Sequence, residues 1–115
     1  VTALSLYQEL LARILREPDP VAARDRTAAR CNEPVRSWLL ALDADGLRIS
    51  ARLILRLRAS LLLQGDDDVR RRLQEDPVDL SRALRAYHDA APPTALTPDE
   101  EAATWRQWRA EADPP

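Results

Sequence analysis

Lysine, phenylalanine and methionine are absent from this 115-residue chain, and cysteine and histidine occur once each. A lone Cys31 excludes an internal disulfide framework and a Cys-rich zinc site. With two glycines and nine prolines, collagen-like and low-complexity classes are excluded. The seventeen basic residues are therefore all Arg, set against nineteen acidic residues for a formal net charge of −2. That balance argues against non-specific nucleic-acid binding, which needs net positive charge. The opening VTALSLYQELLARIL has no basic segment ahead of its apolar one, so it does not read as a secretory signal. The most apolar stretch, Leu47 to Leu63, carries Arg48, Arg52, Arg56 and Arg58, which is too much charge for a bilayer span. The expectation is a soluble, cytoplasmic domain with no membrane partner. Its Arg and Leu bias reads as the product of GC-rich coding.

What is present is well punctuated. Asp19-Pro20, Asp76-Pro77 and Thr97-Pro98 each pair an N-cap residue with a proline at the first helical position, where the missing N–H costs nothing. Thr97 with Glu100 fits a capping box. Gly46 and Gly65 follow apolar-periodic runs, as helix-ending residues do. Between these marks the periodicity predicts helices over 2–16, 20–31, 33–42, 47–64, 68–75, 77–90 and 98–112. No segment alternates with period two, so no sheet is predicted. The helix over 47–64 carries Ile49, Leu53, Leu57 and Leu61 at four-residue steps and is apolar on most sides. A helix of that kind is usually central.

The fold class is thus all-α, an irregular bundle of six to seven helices around 47–64, in one domain. Residues 1–91 form the bundle, 92–97 a Pro-containing hinge, and 98–112 a C-terminal helix docked on the bundle or on a partner. The last three residues, Asp113, Pro114 and Pro115, read as a frayed tail.

Candidate chemistry is sparse. A Cys31 nucleophile activated by His88 is conceivable, but a small buried Cys and a surface His near a helix C-terminus explain both residues. Asp66-Asp67-Asp68 followed by Arg70-Arg71-Arg72 lacks the spacing of a cation loop and reads as a charged helix start. A helix-turn-helix across Gly46 fails, because Asp45 and Arg52 fall where apolar residues belong. Arg48, Arg52 and Arg56 make an i, i+4, i+8 row of bidentate donors suited to a carboxylate-rich partner; internal pairing is the alternative. Trp105, Trp108 and Arg109 make the last helix rich in residue types enriched at binding hot spots, though two Trp could equally close a core. The helix over 20–31 has a thin apolar face that a partner could cover.

Short matches run from Gly46-Leu47-Arg48 through Arg56-Leu57-Arg58, Asp76-Pro77, Ala86-Tyr87-His88, Pro92-Pro93-Thr94 and Glu101-Ala102 to Trp105. Over this half of the chain the sequence resembles small partner proteins encoded beside multinuclear non-haem iron oxidative enzymes. The resemblance implies a protein that helps such an enzyme engage a ribosomally made precursor peptide, with the iron and its chemistry belonging to the enzyme. The longer partners of that group have an N-terminal helical region and a second region; this chain is shorter. No catalytic residue carries over, and no cofactor or metal is expected.

The resulting expectation is a non-enzymatic adaptor that binds a protein or peptide, a metalloenzyme among the candidates, through Arg48, Arg52, Arg56, Trp105, Trp108 and Arg109. Two alternatives stand beside it: a nucleic-acid-binding regulator using the Arg rows, and a small enzyme subunit using Cys31 or His88. A homo-oligomer is a further outcome the Leu content allows.

Overall fold

Helix starts follow the capping chemistry closely. The computed structural model describes residues 2–112, so the expected tail of Asp113, Pro114 and Pro115 lies outside the described residues. It contains seven helices: α1 (Ala3–Ile14), α2 (Pro20–Ala29), α3 (Val35–Leu40), α4 (Ala44–Gly65), α5 (Asp67–Glu75), α6 (Pro77–Ala90) and α7 (Pro98–Ala112). The described residues contain no strand. The protein is all-α, as the periodicity predicts. Side chains of Thr2, Asp19, Asp66 and Asp76 accept the backbone N–H three residues on, at 3.0–3.1 Å. Asp43 does so to Gly46 at 2.7 Å and Thr97 to Glu100 at 3.2 Å. Gly46 therefore lies inside the first turn of α4, not at the end of a helix, and α4 begins three residues earlier than the predicted Leu47. Glu100 accepts from Leu96 N at 3.0 Å, one residue before the Thr97 N–H that a capping box would use.

Helix ends are handled differently. No described residue has a positive φ, so the left-handed glycine cap is not used. Short-range backbone N–H groups close the last turns, and arginines from elsewhere in the chain add further donors to the terminal carbonyls. Arg24 donates from α2 to Leu39 O at 3.2 Å and Leu42 O at 2.6 Å, at the end of α3. In return Arg36 on α3 donates to Ala28 O near the end of α2, at 3.2 Å. Arg70 donates to Gln64 O at 3.1 Å, at the end of α4. Gly65 closes α4 for a different reason: a Cβ there would sit 2.3 Å from the Pro98 carbonyl oxygen.

The chain divides into two compact units, Val1–Ile54 and Leu55–Pro115. In the first, α1, α2, α3 and the start of α4 bury Ile14, Ala23, Ala28, Val35, Leu39 and Leu47. Tyr7 meets Trp38 edge-on, with centroids 5.7 Å apart. In the second, Leu62, Val69, Leu80, Tyr87 and Trp105 form the core, with Trp108 and Leu84 packed against it.

The expected inward stripe of α4 is corrected by the structure. Ile49, Leu53 and Leu57 are 56%, 58% and 63% exposed. The buried positions of α4 are Leu47, Arg58 and Leu62, with Ala51, Ile54 and Leu55 partly buried. That set repeats every three to four residues, as a packed helix stripe does. A helix apolar on most sides offers two candidate stripes, and periodicity alone does not say which faces inward. The stripe that won contains an arginine.

Candidate functional site

Arg58 explains why a charge can occupy a core position. It is 2% exposed, as is Glu101, to which its Nε donates at 2.9 Å. Its Nη2 donates to Pro92 O at 3.0 Å and its Nη1 to Ala91 O, at the end of α6. The same Nη1 lies 3.3 Å from His88 Nδ1, and the guanidinium sits 4.2 Å from the centroid of Tyr87. The Tyr87 hydroxyl donates to the other oxygen of Glu101. Burial, with Glu101 beside it, pushes the Tyr87 hydroxyl well above the usual tyrosine range. Every member of this network is in the second unit, and its bonds join α4, α6, the 91–97 connection and α7. It is a structural knot: a buried ion pair survives when further hydrogen bonds satisfy both ions, and both conditions hold here. His88 is buried within it, which corrects the expectation of a surface histidine.

Of the expected aromatic binding residues, Trp105 is buried, while Trp108 and the neighbouring Arg109 are partly exposed. Trp105 is 2% exposed and meets Tyr87 edge-on at 5.2 Å, with Trp108 5.5 Å from both rings. Arg109 lies over Trp105 at 5.7 Å from its centroid. These residues hold α7 to its own unit, with Trp105 in its core.

The Asp-Arg run behaves as a helix start. Asp66 caps α5 and is held by Arg106 Nε at 3.0 Å. Asp68 pairs with Arg72 at 2.8 Å and with Arg71; the Arg72 hydrogen bond holds its carboxyl below the usual carboxylate range. Among the described residues no group of three or more His, Cys, Asp or Glu is placed to hold a metal ion. None of the helices is long and apolar enough to cross a membrane.

The Arg row of α4 remains. Arg48, Arg52 and Arg56 are all exposed. Arg48 pairs with Asp45 at 3.0 Å, while Arg52 and Arg56 make no ion pair among the described residues. One position round the helix, on the same outer side, run Ile49, Leu53 and Leu57. Two parallel rows result, one cationic and one aliphatic, each about 12 Å long at 1.5 Å per residue. Sequence reasoning named the cationic row and misassigned the aliphatic one to the core.

Compared with known proteins, the chain matches no family model, and no curated protein or solved structure shows significant similarity to it.

Proposed function

We propose that this chain is a non-enzymatic partner protein that presents the outer face of α4 to an acidic, amphipathic segment of another protein or peptide. The observation that carries the reading is the exposed Ile49–Leu53–Leu57 row beside the unpaired Arg52 and Arg56. Three large aliphatic side chains on successive turns are worth about 1.5–3 kcal/mol each when fully buried, so covering their exposed halves supplies roughly half of that. A guanidinium fork grips a carboxylate with two parallel hydrogen bonds and sets register. A segment with apolar residues every third or fourth position and acids flanking them satisfies both rows at once. The biological setting we propose is maturation of a ribosomally made peptide beside a metalloenzyme; the resemblance over 46–108 supports that part.

The test is affinity capture from native cells with the tagged chain, followed by binding of the recovered partner's acidic segment as a synthetic peptide. Leu53→Glu and Arg52→Glu should each abolish capture and weaken the peptide at least tenfold. Reversing an acidic residue of the peptide to Arg should restore affinity for Arg52→Glu. Capture indifferent to both variants would sink the reading. A dimer in sedimentation that Leu53→Glu dissociates would instead assign the face to a second copy. Gel-shift binding that falls steeply with salt would assign it to nucleic acid.

A further inference from the structure

A second surface, wholly within the first unit, is carried by different residues. Helices α1 and α2, with the turn that follows α2, enclose a groove of about 800 Å³. That volume lies within the range of real binding sites. Leu6, Leu10 and the core residue Ile14 of α1 line it, together with Arg26 of α2, Arg30 just past the end of α2, and Cys31. Arg26 and Arg30 make no ion pair among the described residues, whereas Arg13, which also lines the groove, is tied to Glu9 at 3.0 Å. Two acids also line the groove, Glu17 and Glu33, and Glu33 accepts from Ser37. The free cations are one helical turn apart, about 6 Å.

We propose that this groove receives an amphipathic helix bearing acidic residues on successive turns. The argument is one of matched spacing. Two arginines a turn apart are both satisfied by two carboxylates a turn apart on a facing helix, and a single-headed carboxylate satisfies one. The residues that line the groove include no aromatic ring on which a planar ligand could stack. The leucines and isoleucine of α1 follow the 3–4 spacing that a third helix interdigitates with. The site is independent of the α4 face.

Cys31, the chain's single thiol, makes the test local. The probe is a fluorescein-labelled synthetic helix with leucines at i, i+3, i+4 and i+7 and glutamates flanking them; a second peptide carries lysines in their place. Anisotropy with the full chain gives affinity, and the rate of Cys31 alkylation by a maleimide reports occupancy of the groove. The acidic peptide should bind and slow alkylation. In an Arg52→Glu, Leu53→Glu background, which removes the α4 face, the peptide should still slow alkylation, and Arg26→Glu with Arg30→Glu should then weaken it about tenfold or more. If circular dichroism shows the double reversal to be unfolded, Arg26→Gln with Arg30→Gln replaces it. The proposal is overturned by equal binding of the lysine peptide, or by binding weaker than about 1 mM. It is likewise overturned if decanoate protects Cys31 and the peptide does not, or if Arg52→Glu abolishes binding while alkylation is unaffected, which would move the peptide to α4.

Discussion

Removing Arg58 is the sharpest test of how the second unit is held. Arg58→Ala strips a buried Glu101 of its counter-ion and leaves the Ala91 and Pro92 carbonyls without their donor. Breaking one side of a buried pair costs about 3–5 kcal/mol, because the remaining charge stays out of water. Pro92 is exposed and its carbonyl can hydrate, so little is added there. A loss of about 4 kcal/mol is expected, a large share of the stability of a small domain. Urea unfolding followed by Trp fluorescence reads it out, since Trp105 and Trp108 pack on Tyr87 within the same unit. A Trp38→Phe background removes the tryptophan of the first unit. Arg58→Lys should recover a minority of the loss, since one ammonium cannot reproduce the three-way fork. Arg58→Met with Glu101→Leu should cost less than Arg58→Ala alone, because no charge is left behind. A cost below about 1 kcal/mol for Arg58→Ala would refute the reasoning, placing the weight of this unit on its apolar contacts instead.

Four further outcomes are expected. Gly65→Ala should destabilise by about 1–3 kcal/mol despite alanine's higher helix propensity, because the new methyl meets backbone at Pro98; equal or greater stability in chemical denaturation would contradict the close approach. Leu53→Ala should change stability by no more than about 0.5 kcal/mol, whereas the fully buried Leu39→Ala should cost about 2–5 kcal/mol; comparable losses in thermal melts would mean the α4 stripe is inward after all. Asp76→Ala should cost about 1 kcal/mol by removing the 3.1 Å bond to Asp79 N, checked by urea midpoints against Asp76→Ser, which keeps a cap. Tyr87 should stay protonated in the folded chain well into alkaline solution. Its folded pKa lies above the unfolded value of about 10, so its contribution is complete below that value and declines as pH rises past it. In a Tyr7→Phe background, tyrosinate absorbance should appear together with unfolding; its appearance in the still-folded chain would contradict the burial.

The N-terminal punctuation of the helices was legible because N-caps are local. Asp19, Asp76 and Thr97 lie within three residues of the N–H groups they bond, so a short window of sequence holds the whole interaction. Helices α6 and α7 accordingly begin and end where the periodicity places them. The C-termini of α2 and α3 were less legible, each ending two residues before its predicted bound, and Arg24, a partner at the end of α3, is fifteen to eighteen residues away. The inward face of α4 was misread because two of its stripes are apolar and the buried one contains Arg58. A signal was present in that Arg58 falls four residues from Ile54 and from Leu62, on their side of the helix. The cationic row of α4 was legible as a row, and Trp105 was misplaced because two Trp three apart suit a core and a hot spot equally. The α1–α2 groove was invisible, since nothing in a linear spacing brings Leu6 and Arg26 into one groove.

The reciprocal arginines of α2 and α3 carry a consequence for how the first unit comes into being. Each helix is finished by a side chain from the other: Arg24 closes α3, and Arg36 closes α2. Local backbone bonds close each last turn, Cys31 N to Ala28 O and Leu42 N to Leu39 O, and the neighbour's arginine adds a second donor, so a peptide of either sequence is expected to fray more than the intact chain. Full formation of one boundary waits on formation of the other, which ties two short helices into a single step. It also binds their inheritance. A replacement of either arginine exposes the neighbour's carbonyls as well as losing its own contacts, and lysine, with its compact charge, does not span the two acceptors that Arg24 holds. The uniform use of arginine in this chain, whatever its origin in coding bias, has become part of how its helices know where to stop.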